Sequence, residues 1–290
     1  FYAPMYVAIE KGYFEDEGIE LSLTTGFGAD KTMAAVVSGD ADVGFMGTEA
    51  SIYAYTEGAK DHVINFAQLT QRAGNFVVAR ENTDSFSYEN MIGKDVLGGR
   101  AGGTPEMVYE YVLRENGVSP SEVKIDQSID FGSTAAAFSG GQGDYTIEFE
   151  PSATALEQSG DGYVVASIGV DSGYLPYTAF CAKESYLKEN AGLIQHFTNA
   201  LQKGMDYVAG HSPEEIATVI APQFSETDLK TLTLIVSRYY DQETWNTDLI
   251  LWEEGYDLML TILEESGVLS GAAPYEDLVN TDFAEKASTL

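Results

Sequence analysis

Two stretches of this chain, about a hundred residues apart, run through the same succession of residue types. Residues 26–51 read GFGADKTMAAVVSGDADVGFMGTEAS and residues 130–153 read DFGSTAAAFSGGQGDYTIEFEPSA. Each passes from Phe-Gly through a small-residue helix to Ser-Gly, then through an Asp and a strand to an acidic loop opening the next helix. Phe27-Gly28 stands opposite Phe131-Gly132, Ser38-Gly39 opposite Ser139-Gly140, and Asp42 opposite Asp144. Glu49-Ala50-Ser51 falls opposite Glu150-Pro151-Ser152. Two small gaps are needed, and ordinary α/β grammar alone produces part of such a match. The stronger reading is two lobes of similar build. Open α/β sheets bind ligands at the carboxyl ends of their strands, so two such lobes would bring both acidic loops to one cleft.

Hydrophobic patterning supports an α/β chain with a helical tail. Apolar runs predict strands at 19–24, 42–46, 63–69, 76–79, 123–127, 145–149, 163–168 and 177–181. Helical periodicity falls between them, at 4–13, 30–38, 49–57, 105–116, 134–139 and 151–158. Such alternation with Gly-rich joints argues for parallel sheets. From residue 191 onward only helices are expected, at 191–210, 213–222, 226–241 and 249–267. Their start signals include Ser212-Pro213-Glu214-Glu215 and Ser225-Glu226-Thr227-Asp228.

The charge excludes one large class of partner. With 46 acidic and 15 basic side chains, the net charge of −31 repels phosphate backbones, so no nucleic-acid partner is expected. There is no run of about 18 apolar residues to span a bilayer. The sequence opens at Phe1-Tyr2-Ala3-Pro4, close to a helix and without Met, and reads as a processed or trimmed chain. Cys181 stands alone in an apolar run and reads as an inert core residue. His62, His196 and His211 are scattered, without metal spacing or a nucleophile motif. No catalytic residue, metal site or cofactor is expected, and the chain does not read as an enzyme.

The candidate site residues sit where strands end and helices begin. Gly102-Gly103-Thr104-Pro105-Glu106 is a helix opening, with Thr104 suited to the N-cap, Pro105 to the first helical position and Glu106 to the dipole. It serves either as a plain capped turn or as an anion site on free N–H groups. Thr48-Glu49 follows one strand and Glu148-Phe149-Glu150-Pro151 ends another, with Glu148 and Glu150 on one face. These acids are either solvated helix starts or the acceptors of a cleft. Phe1, Tyr2, Tyr6, Phe27, Phe149, Tyr174 and Tyr177 gather at the same loop ends, some of them as core or rim. Trp245 and Trp252 read as a packing stripe.

Three segments resemble one family. Residues 3–21, APMYVAIEKGYFEDEGIEL, carry its first helix and the strand that follows. Residues 33–47, MAAVVSGDADVGFMG, carry its helix and G-x-x-D-x-G step, and residues 98–113, GGRAGGTPEMVYEYVL, look like its second-lobe strand, Gly loop and helix. The chain thus resembles the substrate-binding proteins of ABC importers for nitrate, sulfonates and taurine, and for thiamine precursors. The likeness covers roughly residues 1–210 and implies the type II periplasmic-binding-protein fold, two α/β lobes with a ligand cleft between them and extra C-terminal helices. It implies lobe one at 1–80 plus 180–290 and lobe two at 81–179, with crossings near Arg80-Glu81-Asn82 and Tyr177–Phe180. By the same resemblance Glu150-Pro151 touches ligand, and a strand that family members place before the first helix is absent.

The expected ligand-binding set is Phe1, Tyr2, Phe27, Gly28, Thr48, Glu49, Gly103, Thr104, Glu106, Glu148, Glu150 and Tyr177. A cleft with so many acceptors suits a nitrogen-bearing heterocycle, such as a thiamine precursor or thiamine. The alternative is a sulfonate, taurine or nitrate-type anion in the same fold, and the alternative class is the ligand-sensing domain of a regulator. The resemblance further implies a monomer outside the cytoplasm, periplasmic or lipid-anchored, that meets the membrane subunits of an ABC importer.

Overall fold

Gly12 breaks the first expected helix in two. It takes a left-handed φ of 71°, which a β-carbon resists. The pattern expected over 4–13 is therefore realised as α1 (Ala3–Glu10) and α2 (Tyr13–Asp16). The computed structural model describes residues 1–83 and 85–290. After these helices come α3 (Ala29–Ser38), β1 (Gly44–Met46), α4 (Glu49–Thr56) and β2 (Val63–Thr70). A second run holds β3 (Asn75–Ala79), β4 (Asp95–Leu97), α5 (Thr104–Glu115), β5 (Lys124–Asp126) and α6 (Phe131–Ser139). It continues through β6 (Tyr145–Phe149), α7 (Ser152–Ser159), β7 (Tyr163–Ser167) and α8 (Ile168–Ser172). The rest is β8 (Thr178–Lys183), α9 (Glu184–Glu189), α10 (Ala191–Gly210), α11 (Pro213–Ile220), α12 (Leu229–Asp241), α13 (Glu253–Glu265), α14 (Tyr275–Leu278) and α15 (Asp282–Ala287).

These elements pack as two units. The first holds Phe1–Gln71, Leu175–Thr261 and Leu269–Leu290, and the second holds Arg72–Tyr174 with Ile262–Val268. The expected boundaries at 80 and 180 differ from these, because β3 is laid between β6 and β7 in the second unit's sheet. The segment 262–268 also joins the second unit, so α13 runs from one unit into the other.

The first unit has the sheet order β1-β8-β2, with β8 antiparallel to both neighbours. Phe66, Phe180, Phe197, Leu201 and Met205 bury its core against α10 and α1. Gly204 of α10 lies directly on α1, where a β-carbon would come within 2.2 Å of the Pro4 carbonyl oxygen. The strand expected at 19–24 does not form. Ile19 and Leu21 keep their inward alternation against the core, but no strand pairs with this stretch among the described residues. A strand without a ladder partner leaves its backbone groups to water.

The second unit has the order β5-β4-β6-β3-β7. β4, β5 and β6 are parallel and β3 runs antiparallel to β6 and β7. Val77, Val96, Met107, Tyr109, Phe138 and Ile147 are buried around it. The two echoed stretches are thus helix–strand–helix runs in separate sheets, α3–β1–α4 in the first unit and α6–β6–α7 in the second.

The tail helices start where their caps say. Ser212 and Glu215 close a reciprocal capping box on α11. The expected start of the next helix at 226 moves to Leu229, because the Asp228 carboxylate accepts the Thr231 N–H at 3.0 Å. Leu249–Leu251 stay outside the helix before α13, with the Leu249 carbonyl accepting the Gln68 N–H at 2.8 Å. Among the described residues, no helix is long and apolar enough to cross a membrane.

Candidate functional site

In the first unit, β1 ends at Met46 and α4 opens at Glu49, so the turn sits at a strand's carboxyl end. Thr48 does not cap α4. Its hydroxyl donates to the Pro176 carbonyl at 2.8 Å, tying this turn to the segment that enters β8. Glu49 is buried, only 4 % exposed. An aromatic group gathers beside it. The Phe1 ring lies 5.1 Å from Tyr2, 5.7 Å from Tyr177 and 5.3 Å from Tyr239, between centroids. The Trp245 indole N–H donates to the Phe1 carbonyl at 2.8 Å and its ring lies 6.2 Å from Tyr239. Burial, then the charges of Tyr6 and Glu49, push the Tyr2 phenol well above its ordinary range. Burial, then Tyr2, Glu49 and Tyr239, do the same to Tyr177. Both phenols therefore stay protonated next to a carboxylate, offering O–H groups and π faces.

Phe1, Tyr2, Glu49 and Tyr177 thus lie together in the first unit. Phe27 and Gly28 do not join them. They form the entry to α3, and the Phe27 ring is 82 % exposed outside the cluster.

In the second unit, β4, β5 and β6 all end on one edge, and β3 starts there with Asn75 opposite Phe149. Gly99, left-handed at φ 77°, follows β4, and the Phe131 ring lies directly over it. A β-carbon on Gly99 would fall 2.2 Å from that ring. Phe131 in turn meets Phe149 edge-on at 5.6 Å.

The opening of α5 is shifted by one position from expectation. Gly103 is the N-cap in extended conformation, Thr104 is the first helical residue, and Pro105 and Glu106 follow. The Thr104 hydroxyl caps nothing. It is buried and meets no hydrogen-bond partner among the described residues. Asn75 is fully buried, with its amide N–H on the Pro105 carbonyl at 3.5 Å and its side-chain oxygen unmet. Glu106 is buried too, and accepts the Gln127 amide at 2.6 Å and the Gly102 N–H at 3.2 Å. Burial first, then a hydrogen bond and like charge from Glu110, push its carboxyl up to about 8.

The other two acids are occupied within the fold. Glu148 is 1 % exposed and accepts the Thr146 hydroxyl at 2.6 Å, with burial raising its carboxyl above the ordinary range. It faces inward from mid-strand, whereas Glu150 lies beyond the end of β6. Glu150 accepts the Thr154 N–H at 2.9 Å and the Thr154 hydroxyl at 2.8 Å, which closes the first turn of α7.

Asn75, Gln127, Phe131, Tyr239 and Trp245 were not in the expected set. Phe131 carried a signal, its place opposite Phe27 in the echo. The others carried none, since each reaches its edge only through tertiary packing.

Comparison with known proteins identifies a family and a fold. Residues 2–216 match the family described as NMT1/THI5 like. A protein of Bacillus subtilis (strain 168) named "Putative binding protein YtlA" is 43% identical over 290 residues, 100% of this chain and 87% of its own length. The alkanesulfonate-binding protein SsuA from Xanthomonas axonopodis pv. citri, solved bound to MOPS, superposes with a TM-score of 0.78 at 16% identity, over 96% of this chain and 94% of its own. The periplasmic nitrate-binding protein NrtA from Synechocystis PCC 6803 superposes at 0.74 and 15% identity, over 99% and 85%. The fold they share with this chain is that of the periplasmic binding proteins.

Proposed function

This chain belongs to the NMT1/THI5-like family, and from that premise we propose that it is the solute-binding component of an ABC importer. It works outside the cytoplasm, periplasmic or lipid-anchored, and delivers a small molecule to the importer's membrane subunits as a monomer. The solute is a nitrogen-bearing heterocycle, such as a thiamine precursor or thiamine, held without chemical change.

The observation that carries this reading is the buried Glu49 beside Phe1, Tyr2, Tyr177 and Tyr239. A flat ring with amino groups stacks on aromatic faces and donates to a carboxylate. Charge-assisted bonds of that kind contribute about 1.5–3 kcal/mol each.

Native mass spectrometry of the purified chain identifies what it carries, and calorimetry against a panel ranks the classes. Nitrogen heterocycles are expected ahead of taurine, alkanesulfonates and nitrate. Glu49→Gln is expected to weaken the best of them by roughly tenfold or more. Tight binding of a sulfonate, untouched by Glu49→Gln, would sink the heterocycle reading and leave an anion-binding member of the same family.

A further inference from the structure

We propose that Phe27 is a specificity residue of the first unit: its ring, held outward by a strained turn, stacks on the flat ring of the solute and so selects ring-bearing molecules over open-chain ones. Phe27 has this role only if the chain binds a solute as proposed above.

The backbone at Phe27 is set against the residue's own preference. Its φ is 56°, and among the described residues only Phe27 and Glu243 enter this region without being glycine. A β-carbon disfavours the left-handed region, whereas glycine adopts it freely. Glycine stands on both sides, at Gly26 and Gly28, but not at Phe27 itself. The turn is also fixed. The Thr32 hydroxyl donates to the Gly28 carbonyl at 3.0 Å, as does the Thr32 N–H at 3.1 Å. A β-carbon on Gly26 would run into that same hydroxyl, so Gly26 lies flat on the start of α3. Strain of this kind persists where the surroundings impose it, and it gathers at ligand sites.

The strain yields nothing to the fold. The Phe27 ring is 82 % exposed, and among the described residues it meets no other ring and no cation. Its counterpart in the echo behaves otherwise, since Phe131 covers Gly99 and meets Phe149 edge-on at 5.6 Å. A ring at this point of the helix–strand–helix run can be packed, and at Phe27 it is not.

Phe27 stands at the edge that carries Glu49. Helix α3 runs back along β1, because Val36 abuts Gly44 at the start of that strand. Met33 packs with Met46 and Ala50, and Ala29 joins the same cluster. From Val36 back to Ala29 the helix spans about 10 Å, and from Gly44 to Thr48 an extended chain rises by about 13 Å. The opening of α3 is therefore level with the turn that opens α4 at Glu49.

What covers the ring is small. Leu23 is the nearest exposed apolar side chain in sequence, and Thr24, Thr25, Asp30 and Lys31 are exposed and polar. One aromatic ring offers about 150–250 Å², far below the roughly 800 Å² per partner of a stable protein interface. A flat nitrogen-bearing ring matches it. Stacking uses one face and leaves the N–H groups at the ring edge for an acceptor such as Glu49.

Calorimetry and urea unfolding of the full chain test this, with thiamine and aminopyrimidine as the ring probes. Phe27→Gly is expected to weaken both by roughly tenfold, and Phe27→Trp to keep them. The urea midpoint of Phe27→Gly is expected to hold or rise, since relief of the left-handed φ offsets the freedom that glycine adds to the unfolded chain. Ring probes held at full strength in Phe27→Gly, equal weakening in Phe27→Trp, or a lowered midpoint in Phe27→Gly would each overturn the inference and leave the solute-binding reading standing. No binding of either probe by the unmodified chain overturns the inference and the heterocycle reading together.

Discussion

Gly204→Ala is expected to lower the stability of this chain by about 3 kcal/mol, the upper end of the overpacking range. The new methyl would meet the backbone carbonyl of Pro4 at 2.2 Å, with the Pro4 carbonyl carbon at 3.1 Å and the Ala8 β-carbon at 3.3 Å. A backbone oxygen cannot rotate aside as a side chain can. Helix α1 would have to move off α10, taking Met5 and Ala8 out of the core they share with Leu201 and Met205. Alanine's better helix propensity returns only about 1 kcal/mol. Gly192, in the same helix, has nothing within 4 Å of its would-be β-carbon. Gly192→Ala is therefore expected to be neutral or to stabilise by up to about 1 kcal/mol. Urea midpoints of both variants at unchanged slope measure the difference. Similar losses at the two positions would show that close helix approach does not govern Gly204.

Gly99→Ala is expected to damage both stability and ligand capture. Its left-handed φ of 77° disfavours a β-carbon by about 1–2 kcal/mol. The methyl would also fall 2.2, 2.5 and 2.7 Å from three carbons of the Phe131 ring, adding about 1–3 kcal/mol. The ring's escape is away from Gly99, which breaks its edge contact with Phe149. Capture of the best-binding heterocycle of the panel, read by calorimetry, is expected to weaken by roughly tenfold or more. Binding at full strength in a folded Gly99→Ala chain would show that Phe131 and Phe149 do not touch the ligand.

What could be read without coordinates follows from how local each signal is. Ser212 with Glu215 announced the start of α11, because a capping box is complete within one turn. Tyr145–Phe149 was found because its run is bounded and apolar. Residues 19–24 carry an equally good pattern and form no strand, since pairing is not a property of the stretch itself. Asp95–Leu97 was missed for the opposite reason: three residues are too short to show a period. At the candidate site, Glu49 and Tyr177 are singled out by their places at element ends. Gln127 reaches Glu106 across 21 residues of chain and Trp245 reaches Phe1 across 244, and no spacing rule covers such distances. Glu106 was legible as a residue, but the upward push on its carboxyl was not, because that depends on burial and on Glu110.

Helix α13 is divided in allegiance. Its residues up to Thr261 belong to the first unit, while Ile262 and Leu263, each fully buried, belong to the second together with the stretch to Val268. The second unit is therefore not encoded in one piece. A gene fragment for residues 72–174 would yield a body with an open apolar slot where Ile262 and Leu263 insert. Any recombination that exchanges this unit between relatives must carry two distant stretches of coding sequence at once, and a crossover within α13 would mismatch a core that neither parent had assembled.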